Sequence, residues 1–216
     1  MGTSMINIEV LEKLVSKRNQ VYKVRLHEST DIKLAIMKKY SLDNLKLLDT
    51  EYENMQMLQE HGILIPKIIH KSSDNLIMEY IQGDLVTDMV EKLDTGDWID
   101  GLALWMVNLH KISNEAGSLL KMDVNLRNFI YSNGKVYGLD FEEMDYGDPR
   151  TDLANICFFI LTNKPSFTKG KHMIMRRFLK SYEKHSSLKL TDMGRYLLWS
   201  KEESKRRRNK PQTESN

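Results

Sequence analysis

Between Lys121 and Pro149 the chain concentrates side chains that bind cations and move protons. Asp123 is followed five residues later by Asn128, and Asp140 comes after a Ser132-Asn133-Gly134 turn and before Glu142 and Glu143. The apolar runs Phe129-Ile130-Tyr131 and Val136-Tyr137-Gly138-Leu139 on either side of Asn-Gly predict a β-hairpin. A hairpin of that kind can bring together two oxygen-bearing groups that share a hard cation, because Mg²⁺ takes oxygen ligands and borrows the rest from phosphates and water. Asp123 is then a carboxylate able to accept a proton from an attacking hydroxyl. Acidic loop residues are also ordinary formers of solvated turns, so composition alone leaves both readings open.

The elements that would position these groups fall into two parts. From Gln20 to Met37 two β-type runs flank the polar His27-Glu28-Ser29-Thr30-Asp31, which predicts a hairpin. A helix is expected over Asp43 to Gln59, where Leu47, Leu48, Glu51, Met55 and Leu58 recur on one face, with Glu51 on or beside the apolar stripe. Gly62 stops it, Pro66 opens an extended segment, and Leu76 to Ile81 is a further strand ending at Gly83. Beyond Gly83 the pattern is helical over Asp97–Ile112, with Trp98 and Trp105 on one face as core, and over His172–Tyr182. The fold class is therefore α+β. The expected domains are residues 1–82 as a small β-rich lobe with one helix, 83–204 as a mainly helical lobe, and 205–216 as a basic, disordered tail.

Composition narrows the classes. The 216 residues are 41% hydrophobic and 29% charged, enough to bury a real core and too apolar for a wholly disordered chain. The net charge is +2, and removing Lys205, Arg206, Arg207, Arg208 and Lys210 leaves 2 − 5 = −3, so the body is mildly acidic. Nucleic acid is accordingly not expected as a partner, apart from weak contact by the basic tail. A single Cys157 excludes an intramolecular disulfide and a multi-cysteine zinc site, and points to a reducing compartment. The six histidines form no pair at metal-ligand spacing. No secretory h-region follows Met1, position 6 is Ile6 rather than the Ser or Thr of a myristoylation signal, and the apolar run Ile156–Leu161 is too short to cross a membrane; the expectation is a cytoplasmic protein with no membrane partner. A Walker loop, a Rossmann fingerprint and a His-Glu-x-x-His helix are absent from the sequence, which excludes those enzyme classes.

Three strings together carry a family resemblance. Met122-Asp123-Val124-Asn125-Leu126-Arg127-Asn128-Phe129-Ile130, then Gly138-Leu139-Asp140-Phe141-Glu142, then Tyr146-Gly147-Asp148-Pro149-Arg150-Thr151-Asp152-Leu153-Ala154 resemble the aminoglycoside phosphotransferase and choline kinase family. Leu109-His110-Lys111-Ile112 is similar to the element closing the helix before that family's catalytic loop, and the likeness extends from about Ser16 to Tyr182. The resemblance implies a protein-kinase-like bilobal fold and an ATP- and Mg²⁺-dependent transfer of the γ-phosphate to a hydroxyl of a small-molecule acceptor. It assigns Asp123 as catalytic base and Asn128 and Asp140 as metal ligands. Lys38 of Ala35-Ile36-Met37-Lys38 becomes the phosphate-contacting lysine and Glu51 its helix partner; Lys39 is the neighbouring alternative, and strand alternation puts only one of the two on the cleft face. Glu79, Tyr80 and Ile81 become the hinge that pairs with adenine, and Ser16 and Asn19, with Lys17 and Arg18, the loop over the phosphates. Glu142 is a weaker candidate for a second metal contact, and Asp152 is expected to brace the catalytic loop.

Two departures from the family pattern define the alternatives. Lys121 and Met122 stand where the family has His-Gly, and the loop Ser16–Tyr22 contains no glycine. They motivate a catalytically impaired pseudokinase that binds nucleotide or acts as a scaffold. An atypical small protein kinase is the other alternative, although Asn125 stands where Ser/Thr kinases carry a lysine. The chain is short for the resembled family, so the acceptor pocket is expected to be open, absent or completed by a partner, a homodimer among the options.

Overall fold

The structure is a computed structural model that describes residues 7–16, 18–28 and 31–209. The amino-terminal residues used above to weigh a leader or lipid signal, Lys17, the turn residues Ser29 and Thr30, and Lys210–Asn216 lie outside the described residues. The chain divides into two compact units: Met1–Gly83 with Tyr137–Glu143, and Asp84–Val136 with Met144–Asn216.

The first unit is built on a five-stranded antiparallel sheet of order β1-β2-β3-β5-β4. Its strands are β1 (Asn7–Leu14), β2 (Gln20–Glu28), β3 (Asp31–Lys39), β4 (Ile68–Lys71) and β5 (Asn75–Glu79), with α1 (Leu45–Glu60) between β3 and β4. The β2–β3 hairpin and α1 match the sequence reading, whereas β1 carries no clean alternation and is exposed along almost its whole length, which is why its pattern gave no strand signal. β5 stops at Glu79, so Tyr80 and Ile81 lie beyond the strand expected to include them. Cross-strand register puts Val24 opposite Ala35 and Met37 opposite Ile77, so Val24, Leu26, Ala35 and Ile77 form the core on one face. Lys38, opposite Leu76, is on the other face. Leu48, Met55 and Leu58 of α1 are buried at one-helix-face spacing, and each such apolar side chain contributes about 1.5–3 kcal/mol by leaving water. Glu51 is in the same buried stripe.

The second unit opens with β6 (Asp84–Leu85), α2 (Val86–Glu91) and α3 (Trp98–His110), followed by β7 (Ser113–Asn114) and β8 (Gly117–Leu120). β9 (Phe129–Ser132) and β10 (Lys135–Gly138), whose last two residues belong to the first unit, come next, and then β11 (Asp145–Gly147). Asn133 and Gly134 both take left-handed backbone angles, φ 48 and 77, the requirement of a two-residue hairpin turn. Three helices close the chain: α4 (Arg150–Thr162), α5 (Lys169–His185) and α6 (Met193–Asn209). α3 packs on α5 and α4 on α6, with Trp98, Trp105 and Phe178 deeply buried. α5 starts where Thr168 caps it by accepting the Lys171 N–H, and ends in Lys184 and His185, which suit the negative end of its dipole. α4 takes up the Ile156–Leu161 run, and α6 carries helix through Lys205–Asn209, the first part of the stretch expected to be a disordered tail. The seventeen residues of α6 include only scattered apolar positions, so helical periodicity is faint there. Among the described residues no helix is long and apolar enough to cross a membrane.

β8 pairs with β11 so closely that glycine is obligatory at one point. Gly117 has φ 133, and a Cβ there would meet the Gly147 carbonyl oxygen at 2.5 Å. Gly117→Ala is therefore expected to lower stability by about 3 kcal/mol. Urea denaturation of the two chains measures it, and equal midpoints would mean that the strands separate without cost.

Candidate active site

Alternation along β3 points Lys38 and Tyr40 to the face that α1 covers, while Lys39 is exposed and pairs with Asp74 at 3.5 Å. The Lys38 ammonium lies 2.8 Å from Glu51 Oε2, 3.0 Å from Asp140 Oδ1 and 2.7 Å from Glu142 Oε1. Burial works against its charge, but Glu51, Asp140 and Glu142 together outweigh that cost and hold its pKa well above the usual lysine value. Glu51 is 1% exposed. Its Oε2 also accepts the Tyr40 hydroxyl, and its Oε1 accepts the Phe141 N–H at 3.2 Å. Burial first, and then the Glu51 charge, raise the Tyr40 phenol pKa, so the hydroxyl stays a donor. Asn54, three residues along α1, donates to the Phe141 carbonyl at 2.8 Å. Both polar groups of the Phe141 peptide unit are thus held by one helix, and its ring is fully buried. Asp140, directly before it, takes φ 62.

The turn before β2 reaches the same segment. Asn19 Nδ2 donates to Glu142 Oε1 at 2.5 Å, and Arg18 lies 2.8 Å from Glu143 Oε1. Asn19 is buried and its Oδ1 is without a partner among the described residues. Burial raises the pKa of Glu142, against the lowering influence of Lys38. Ser16 is exposed beside this turn. The hinge residues Glu79, Tyr80 and Ile81 are also in the first unit. The Glu79 N–H is committed to the Lys67 carbonyl at 2.9 Å, so Glu79 is no backbone donor to a ligand, and the Tyr80 ring lies under Lys23 at 4.2 Å.

Asp123 and Asn128 come together in the second unit. Asn128 is buried and donates from Nδ2 to Asp123 Oδ2 at 3.0 Å and to its backbone carbonyl at 3.3 Å, while Asp123 itself is exposed. The loop between them is a compact turn, in which Asn125 donates its N–H to Asp123 Oδ1 and accepts from the N–H and Nε of Arg127. Behind it Asp152, 0% exposed, accepts the Lys121 N–H at 2.7 Å and the Met122 N–H at 3.2 Å. His110 Nε2 lies 3.4 Å from the same carboxylate, and His110 Nδ1 lies 2.9 Å from the Tyr182 hydroxyl, which ties α3 to α5 at this point. Lys121 is fully buried, its ammonium 5.9 Å from the Phe129 ring centre. Met122 takes φ 65, a left-handed angle at the position where the resembled family carries glycine.

The donor set fits a hard cation. Glu51, Asp140 and Glu142 each offer a carboxylate oxygen within 4.8 Å of the others, grouped around the Lys38 ammonium. The sequence grouped Asp123, Asn128 and Asp140 as one constellation and Lys38 with Glu51 as a pair; the structure brings Lys38, Glu51, Asp140, Glu142 and Asn19 together in the first unit and Asp123 with Asn128 in the second. Sequence reasoning did not single out Tyr40, although two-residue spacing after Lys38 puts both on one strand face. Asn54 was likewise readable as one helical turn beyond Glu51. Tyr182 had no local signal, because its partner His110 is distant in sequence.

A family model of the RIO domain matches residues 7–150. No curated protein matches the chain. Among solved structures, the aminoglycoside phosphotransferase APH(2'')-Ib with ADP bound aligns at TM-score 0.68 and 15% identity, covering 93% of this chain and 83% of that one. The complex of gentamicin with APH(2'')-IIa aligns at TM-score 0.67 and 14% identity, over 92% of this chain and 81% of that one. The ternary complex of streptomycin, ATP and APH(2'')-IIa aligns at 0.68 and 15%, over 92% and 83%. At these identities the likeness shows a protein-kinase-like fold, with its β-rich amino-terminal sheet and helical carboxy-terminal part.

The brace behind the catalytic-type loop yields a paired expectation. Asp152→Ala strands two buried N–H groups and should cost about 2–5 kcal/mol, whereas Met122→Gly relieves a left-handed side chain and should add about 1 kcal/mol. Thermal unfolding of both variants tests the pair, and shifts of the same sign would contradict it.

Proposed function

The chain belongs to the RIO domain family, and on that premise we propose that it is an ATP- and Mg²⁺-dependent phosphotransferase that moves the γ-phosphoryl group to a hydroxyl of a small molecule. The observation that carries the reading is the buried Lys38–Glu51 pair, tied through Phe141 to Asp140. A charged lysine of fixed rotamer beside a carboxylate that can ligate a cation is what positioning a nucleotide polyphosphate demands.

In this reading Lys38 contacts the α- and β-phosphates, and Glu51 keeps its ammonium in place. Asn19 and Ser16 meet phosphate oxygens, and the backbone of Tyr80 and Ile81 with the carbonyl of Glu79 meets adenine. Asp140 supplies a carboxylate ligand and Asn128 an amide oxygen for Mg²⁺, which when bound neutralises charge on the phosphates. Asp123 orients the acceptor hydroxyl and takes its proton; the Asn128 amide, bonded to Asp123 Oδ2, fixes which oxygen faces the acceptor. Most of the acceleration then comes from positioning and charge neutralisation. The structural likeness to enzymes solved with aminoglycosides and with ADP or ATP supports a small-molecule acceptor. The family match favours a second reading, an atypical protein kinase, in which the hydroxyl belongs to a serine or threonine side chain. The left-handed Met122 supports an intact loop in place of the usual His-Gly, and so weighs against the impaired pseudokinase.

Asp123→Asn is expected to leave the ATP-induced rise in unfolding temperature unchanged and to reduce turnover at least a hundredfold, while Lys38→Met removes the rise. Thermal shift with ATP, with and without Mg²⁺, and ATP consumption against a panel of sugars, aminoglycosides, amino alcohols and Ser/Thr peptides measure both. Full turnover by Asp123→Asn would reject that residue as base, and no shift at millimolar ATP would reject the enzyme reading.

A further inference from the structure

Three donors from two separate stretches of the first unit converge on one buried carboxylate. Glu142, with its side chain 6% exposed, receives Lys38 Nζ at 2.7 Å on Oε1 and lies 3.8 Å from Arg18 through Oε2. Asn19 Nδ2 approaches Oε1 at 2.5 Å, and Arg18 is anchored in addition by Glu143 at 2.8 Å. An ammonium, an amide N–H and a guanidinium around one anionic group are the partners a phosphate oxygen asks for. Arg18 and Asn19, which the resemblance places over the phosphates, here have their donor groups engaged by the chain's own carboxylates.

We propose that Glu142 is the resident anion of a phosphate seat made by Lys38, Asn19 and Arg18, and that it makes the seat selective for polyphosphate that carries a divalent cation. A metal-free polyphosphate approaching these donors meets the Glu142 carboxylate as a like charge competing for the same hydrogen bonds. A divalent cation reverses the sign of that encounter, because carboxylate and phosphate oxygens are both its ligands. Glu143 acts at one remove by holding Arg18 away from the incoming phosphate. The proposal rests on the phosphotransferase reading only in taking the physiological polyphosphate to be a nucleotide.

Calorimetric titration of the full chain with ATP and with inorganic tripolyphosphate, each in EDTA and in Mg²⁺, tests it. Glu142→Gln is expected to bind both metal-free ligands at least tenfold tighter than the parent and to lose most of the difference between EDTA and Mg²⁺. Glu143→Gln, an exposed position with little bearing on folding, should gain about threefold for the metal-free ligands. Metal-free binding by Glu142→Gln that is equal to or weaker than the parent's overturns the proposal. So does an unchanged Glu143→Gln if Glu142→Gln fails to fold. Tighter tripolyphosphate binding by Glu142→Gln with no ATP binding by either chain would uphold the seat and reject the nucleotide.

Discussion

A carboxylate that is 1% exposed exists inside a protein only if both its oxygens are engaged, and Glu51 satisfies that condition with three donors from two separate stretches of chain. Lys38 comes from β3, Tyr40 from just beyond it, and the Phe141 N–H from a segment 90 residues beyond Glu51. None of the three is optional. Removing the lysine would leave a desolvated anion, at a cost of about 3–5 kcal/mol for a broken buried pair. Removing the Phe141 contact would untether the neighbouring Asp140 from the position in which it meets Lys38. The helix α1 therefore does more than fill one side of a sheet. Its apolar stripe sets the depth at which Glu51 sits, and that depth makes the carboxylate insist on its partners.

The second unit repeats the logic with a different acid. Asp152 lies on the first turn of α4, and its two oxygens take the N–H groups of Lys121 and Met122. Those hydrogen bonds fix the backbone immediately before Asp123, including the left-handed angle at Met122 that a side chain tolerates poorly. His110, held by Tyr182, closes on the same carboxylate from α3. In both units a buried acid sets the geometry of backbone that precedes or follows an exposed acid, and the exposed acid is the one to which the proposed reaction assigns a role. The burial is a device for rigidity, because a half-exposed aspartate is only as well placed as the chain that carries it.

Much of this was legible from residue spacing, and the failures are instructive. The β2–β3 hairpin, α1, α3 and the Asn133-Gly134 turn were readable because each has one buried face and a turn residue suited to its backbone angles. Strand alternation required that only one of Lys38 and Lys39 face the cleft, the resemblance chose Lys38, and the structure pairs Lys38 with Glu51 and leaves Lys39 exposed beside Asp74. β1 was invisible because a strand exposed on nearly every side chain has no period-2 signature, and α6 because its composition is set by charge. The family assignment was coarser than the fold: the strings around Asp123, Asp140 and Asp152 suggested aminoglycoside and choline kinases, whereas the family that matches is the RIO domain. Those strings go with the protein-kinase-like fold, which this chain has in common with the aminoglycoside phosphotransferase structures. At Glu79 the N–H pairs with the Lys67 carbonyl beside a bulged β4–β5 register that pattern reading cannot see, which leaves its carbonyl as the backbone group open to a ligand.

The return of Tyr137–Glu143 to the first unit has a consequence for how the protein is made. A nascent chain that has released residues 1–83 holds every strand of the five-stranded sheet but not Phe141, the fully buried side chain that α1 clamps, nor Asp140 and Glu142, two of the three acids around Lys38. Synthesis must pass about sixty further residues, including α2 and α3, before the unit can close. During that interval the buried polar cluster around Lys38 and Glu51 is incomplete. The first half of the chain is therefore a dependent fragment: completing it waits on contacts of long sequence separation, whose loop-closure cost falls late in folding.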